Sequence, residues 1–175
     1  MERLATICNQ TGHRANVAVR VNPDFELKTS GMKMAGGPKP FGIDAEQVPA
    51  VLKRLGQLDL AFQGFHIFSG SQNLRPDAII EAQTNTFALA LKLADHAPSP
   101  VQWLNIGGGF GIPYFPGEQR LDLGPVADNL ATLLARHRAD LSEAEIVVEL
   151  GRYLVGEAGV YVCEVIDLKK SRGET

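Results

Sequence analysis

Three short stretches of this chain carry residue types that suit a charged, flat ligand. They are His66 with Ser69 and Ser71, the run Gly107-Gly108-Gly109, and Glu149 with Gly151 and Arg152. A glycine run directly after an apolar segment exposes successive N–H groups with no side chains in the way, which suits a phosphate. The same run also serves as a tight turn that lets the chain pass close to a neighbour. His66 is either a satisfied core histidine or, with Phe65 and Phe68 around it, part of a flat platform for a planar ring. Ser69 and Ser71 are ordinary turn residues, or hydroxyl donors if a phosphate lies beside them. Glu149 pairs with a surface lysine, or sits at the end of a buried strand, where an unpaired carboxylate is costly. Gly151 permits close backbone approach, and Arg152 offers a planar fork to a phosphate or carboxylate.

The elements that must position these residues follow from apolar spacing and from Gly/Pro punctuation. Residues 2–11 predict a short helix stopped by Gly12, and Asn16–Asn22 a strand closed by Pro23. Residues 23–43, with Lys28, Lys33 and Lys39, read as a long loop. Asp44 is expected to cap a helix over Ala45–Leu55 that ends at Gly56. Leu58–Phe68 reads as a strand and Pro76–Ala97 as a long amphipathic helix. Val101–Ile106 is a strand that runs straight into the glycines. Gly124 to about Arg138 is a helix, with Pro125 in its first turn. Ile146–Glu149 is the fourth strand, a helical turn is expected at Tyr153–Ala158, and Val160–Leu168 is expected as a fifth strand.

Strand and helix thus alternate at intervals of roughly 40 residues, the spacing of βα units in a parallel sheet. Right-handed repeats bring the three candidate strand ends side by side on one face. That rim, at the carboxyl ends of parallel strands, is where α/β proteins bind ligands. Four to five units are present where a closed (β/α)8 barrel needs eight. Between an open sheet and part of a barrel, part of a barrel is the favoured reading. A phosphorylated, planar ligand with a protonatable ring nitrogen would use every candidate group, and pyridoxal 5'-phosphate meets that description.

The totals narrow the partners. The chain has 175 residues, with 17 basic and 20 acidic side chains and a net charge of −3. No basic stripe marks a nucleic-acid surface, and no apolar run approaches the roughly 20 residues of a membrane span. Cys8 and Cys163 lie far apart, in no metal-ligand spacing. They fit small buried hydrophobes in a reducing, cytoplasmic setting.

Five stretches in order carry a family resemblance: Val19-Arg-Val-Asn-Pro23, Lys39-Pro-Phe-Gly-Ile43, Gly64-Phe-His-Ile-Phe-Ser-Gly-Ser-Gln72, Asn105-Ile-Gly-Gly-Gly-Phe-Gly111 and Glu149-Leu-Gly-Arg152. The chain resembles the alanine racemase-like barrel of the fold-type III pyridoxal-phosphate decarboxylases. These are the diaminopimelate, ornithine and arginine decarboxylases, and the likeness is strongest to the diaminopimelate enzymes of lysine biosynthesis. The resemblance implies that His66 stacks on the cofactor ring and that Ser69 helps hold the phosphate. It implies backbone N–H groups from Gly108, Gly109, Gly151 and Arg152 on that phosphate, with Glu149 on the pyridine nitrogen. Arg152 would also meet a substrate carboxylate.

Two departures stand out. Glu-Leu-Gly-Arg replaces the family's Glu-Pro-Gly-Arg, and Lys-Pro-Phe-Gly replaces Ser-Lys-Phe-Gly. No lysine here matches the Schiff-base lysine, whose strand would precede Asn16, so no catalytic residue is assigned. The family's C-terminal β-domain, with its Cys-Glu-Ser stretch, would lie beyond this sequence. The expectation is a partial barrel domain over 1–168 with a tail over 169–175 leading towards that domain. The parent would be an amino-acid decarboxylase acting on a small molecule as a homodimer, and this chain alone would be inactive. The alternative is a non-catalytic module that binds pyridoxal phosphate or phosphate.

Overall fold

The computed structural model describes residues 1–25, 32–33 and 39–174. Helix α1 (Glu2–Thr11) ends where Gly12 turns left-handed at φ 68°, as its position predicts. Strand β1 (Asn16–Asn22) follows. Within the expected loop of residues 23–43, two short strands form. β2 (Met32–Lys33) and β3 (Ile43–Asp44) both escape periodicity because two residues carry none. The rest of that segment, Lys28 included, lies outside the described residues.

After a 3₁₀ turn over Ala45–Gln47, α2 spans Val48–Leu55. Asp44 does not cap it. Its Oδ1 instead accepts a hydrogen bond from Asn22 Nδ2 at 2.7 Å, which fastens β3 to β1. Then come β4 (Ala61–Ile67), β5 (Gly70–Ser71), α3 (Pro76–Ala94), β6 (Trp103–Asn105), α4 (Gly124–Arg136), β7 (Glu145–Val147) and the single-turn α5 (Arg152–Val155).

Five strands form one parallel sheet in the order β3-β1-β4-β6-β7. This is a partial barrel of parallel βα units. The fifth parallel strand, however, is β3 and not residues 160–168. That segment pairs with nothing in the sheet, and Val160, Tyr161 and Ile166 are 90%, 93% and 93% exposed. Its β-branched residues favour a strand only where a neighbour supplies hydrogen bonds and a surface to pack on.

Side-chain alternation sorts the sheet into two faces. Val19 pairs with Phe65, and Phe65 with Leu104; all three sit in one core with Leu52, Leu55, Phe87 and Leu93 from α2 and α3. The next row, Arg20–His66–Asn105–Val147, turns to the opposite face. Apolar helices therefore hold one side of the sheet, and the polar row is left for other work.

Leu52 has no exposed surface, so Leu52→Ala is expected to cost about 2–5 kcal/mol in urea unfolding. Tyr161→Ser, in the unpartnered segment, is expected to stay within about 0.5 kcal/mol of the parent chain. A comparable loss from both substitutions would contradict this division between core and surface.

Candidate cofactor site

The three predicted strand ends meet at one rim, and glycines make the meeting possible. A Cβ on Gly108 would lie 1.8 Å from the Glu149 carbonyl oxygen, and one on Gly109 would lie 2.0 Å from the Gly70 carbonyl oxygen. Gly107 and Gly109 adopt φ values of 71° and 78°. Two backbone bonds run across the same seam. Glu149 N–H donates to the Gly107 carbonyl at 2.8 Å, and Asn73 N–H donates to the Gly109 carbonyl at 2.9 Å. The glycine run is thus the tight turn that lets neighbours touch. Its remaining N–H groups, those of Gly108 and Gly109, make no hydrogen bond among the described residues.

Glu149 lies two residues past the end of β7, and its side chain is 42% exposed. This corrects the expectation of a carboxylate at the end of a buried strand. Its environment is nonetheless built. Asn105, only 4% exposed, donates Nδ2–H to Glu149 Oε1 at 2.9 Å and accepts the Gly107 N–H on Oδ1 at 2.8 Å. One amide thereby fixes both the carboxylate and the start of the glycine turn. In the sequence Asn105 is part of the glycine motif, and nothing local marks a role for it. Only the parallel register, which sets it beside His66 and one strand from Glu149, reveals one.

His66 Nε2 lies buried 3.2 Å from Glu149 Oε1, a close charge contact in which Nε2 makes no hydrogen bond of good geometry. Burial lowers the imidazole pKa below its ordinary 6.5. Glu149 opposes this shift, and the Arg20 guanidinium on the neighbouring strand adds to it. Arg20 itself lies over two phenyl rings, 5.3 Å from the Phe41 centroid and 5.9 Å from that of Phe68. Burial and the Arg20 charge thus favour the uncharged imidazole, and the Glu149 carboxylate opposes them.

Ser69 is 7% exposed, and its Oγ has no hydrogen-bond partner among the described residues. Ser71, two residues on, is half-buried at the loop mouth. Gly151 has open space where a Cβ would be. Arg152 reaches the same rim from α5, its Nη1 donating to Gln72 Oε1 at 3.3 Å. All seven predicted residues, His66, Ser69, Gly108, Gly109, Glu149, Gly151 and Arg152, thus sit at the carboxyl end of the sheet.

Comparisons with known proteins bear on the family and the fold. Residues 1–156 fit the family model described as pyridoxal-dependent decarboxylase, pyridoxal binding domain. The chain belongs to that family. It is 36% identical over 176 residues to the L-glutamyl-(BtrI acyl-carrier protein) decarboxylase of Niallia circulans, covering 99% of this chain and 40% of that protein. It is 31% identical to the diaminopimelate decarboxylase of Thermoplasma acidophilum, covering 87% of this chain and 37% of that one.

Among solved structures it resembles a point mutant of Helicobacter pylori diaminopimelate decarboxylase complexed with L-lysine. The TM-score is 0.71 at 25% identity, over 86% of this chain and 37% of that one. The Methanocaldococcus jannaschii enzyme with L-lysine gives 0.71 at 26% identity, over 86% and 36%. The chain thus spans about two fifths of the length of the curated relatives it matches. Among the described residues no helix is long and apolar enough to cross a membrane.

Two outcomes test the geometry. Gly108→Ala drives a methyl into backbone, so a loss of about 2 kcal/mol or more is expected in urea unfolding. Because the folded His66 pKa is lowered, its contribution to stability is present above the unfolded value near 6.5 and is lost as pH falls through the folded value. Proton NMR of the His66 ring should show a midpoint below 6.5; a midpoint above it would mean that the Glu149 attraction dominates.

Proposed function

We propose that this chain is the cofactor-holding part of a pyridoxal-phosphate-dependent amino-acid decarboxylase, of the diaminopimelate decarboxylase kind. The observation that carries this reading is the cluster in which Asn105 orders the Glu149 carboxylate beside His66, next to glycine N–H groups without acceptors among the described residues. These residues fit the cofactor. Glu149 meets a protonated ring nitrogen, leaving Oε2 for the contact while Asn105 holds Oε1. The His66 imidazole, whose uncharged form burial favours, would pack on the ring face without repelling that nitrogen's charge. Gly108 and Gly109 would donate N–H groups to the phosphate, Ser69 and Ser71 would add hydroxyls, and Gly151 and Arg152 would complete its cradle.

When bound, pyridoxal phosphate supplies the electron sink that accepts the pair left by loss of carbon dioxide. Glu149 sustains that capacity by keeping the ring nitrogen protonated. Arg152, whose guanidinium has no carboxylate partner among the described residues, receives a carboxylate of a small amino-acid substrate. In this reading residues 1–168 are the cofactor domain and 169–175 lead onward. The protein works as a homodimer in the cytoplasm. Cys8 is buried as expected, whereas Cys163 is exposed, so the reading of Cys163 as a buried hydrophobe does not hold.

The test is pyridoxal phosphate binding by the 175-residue chain, followed by absorbance and equilibrium dialysis. Binding is expected to be reversible after borohydride treatment, since no lysine here matches the Schiff-base position, and turnover of diaminopimelate by this chain alone should be negligible. Glu149→Gln should weaken binding about tenfold or more, as loss of a charge-assisted bond does. Unchanged affinity in Glu149→Gln would remove the central contact of the reading.

A further inference from the structure

Gln72 does something its motif does not announce. Among the described residues, only Gln72 and Arg172 are non-glycine residues at positive φ, and Gln72 stands at 56° directly after β5. L-residues occupy that region rarely and persist there when the surroundings hold them. Here the side chain is what is held. Its Nε2–H donates to the Ile112 carbonyl at 2.5 Å, and Oε1 accepts the Ile112 N–H at 3.4 Å, so the amide is gripped at both ends by the loop after β6. The same Oε1 accepts from Arg152 Nη1 at 3.3 Å.

The partner surfaces are themselves braced. Glu118 accepts the N–H groups of Tyr114 and Phe115 at 2.7 and 3.1 Å, which shapes the loop that carries Ile112. Tyr153 packs edge-on against Phe110 at 5.9 Å, which seats α5 against that loop. The Arg152 guanidinium lies 5.6 Å from the Tyr114 ring centroid and has no carboxylate partner among the described residues. An aromatic face and one amide oxygen define its position, and its other donors make no hydrogen bond among the described residues. Three loops, after β4, β6 and β7, are joined through a single side chain.

We infer that Gln72 is a positioning residue: it fixes the Arg152 guanidinium so that its other donors meet an anionic group at the rim. The inference rests on the proposed function for the identity of that anion, but not for the placement of Arg152. A neutral amide suits the task. It orients the guanidinium by a hydrogen bond without neutralising it, whereas a glutamate at 72 would compete with the incoming anion.

The experiment has two arms on the 175-residue chain. Without ligand, the Arg152 Nε–Hε signal in 15N NMR should stand apart from the exposed arginines. It should move into their envelope in Gln72→Met and Gln72→Gly; the glycine variant accepts the backbone angle at no steric cost and so keeps the fold. An unmoved signal overturns the inference whatever the ligand.

With pyridoxal phosphate as probe, Gln72→Gly and Arg152→Met are each expected to weaken binding about five- to tenfold, and the double variant no more than Arg152→Met alone. Additive losses would mean that Gln72 acts on the fold and not through Arg152, and would overturn it. Absence of any binding by the unsubstituted chain, with the first arm intact, sinks the proposed function and leaves Gln72 as the anchor of Arg152.

Discussion

Backbone meeting backbone across adjacent parallel strands is the constraint on which this rim depends. At Gly64 a Cβ would lie 1.7 Å from the Trp103 carbonyl oxygen, and at Gly108 and Gly109 the neighbours are as near. No side chain fits at those points, so the strands close to a separation that any other residue would forbid. Because they close, the Asn105 amide reaches Glu149 on one side and the Gly107 N–H on the other. The polar geometry follows from the steric one. Removing an atom at three positions allows a buried amide to do the work of two hydrogen-bond partners elsewhere.

The helices matter to the site only by what they claim. Phe65, Ile67 and Leu104 turn to the α2 and α3 side, and strand alternation then forces His66 and Asn105 to the other. Nothing at the rim needs a helix to place it except Arg152, and α5 is barely one turn long. Its location is set by Tyr153 on Phe110 and by Gly156 fitting against Ile112, contacts with a loop and not with the sheet. The rigid half of the site and its arginine therefore answer to different parts of the chain. Gln72 is where they are joined.

The strands, the helices and the rim are legible in the sequence. Strand and helix positions followed from apolar spacing, and the glycine, histidine and glutamate stretches fell at strand ends as the βα pattern requires. What escaped the sequence did so for physical reasons. A two-residue strand such as β3 has no periodicity, so it passed for loop, and Asp44 looked like a helix cap because its sheet partner Asn22 lies far back in the chain. Residues 160–168 have the composition of a strand but no partner, and pairing is not written in composition. The roles of Asn105 and Gln72 depend on contacts that span 44, 40 and 80 residues, which no local pattern contains.

Those long spans bear on how the protein comes into being. Parallel pairing can close only after each intervening helix is made, and contacts remote in sequence form late. On the ribosome, His66 and Asn105 leave the exit tunnel well before Glu149, and until Glu149 follows, the amide of Asn105 has nothing to grip at the rim. The nascent chain thus carries an unfinished polar face through much of its synthesis. Assembly of that corner therefore waits until Glu149 has emerged.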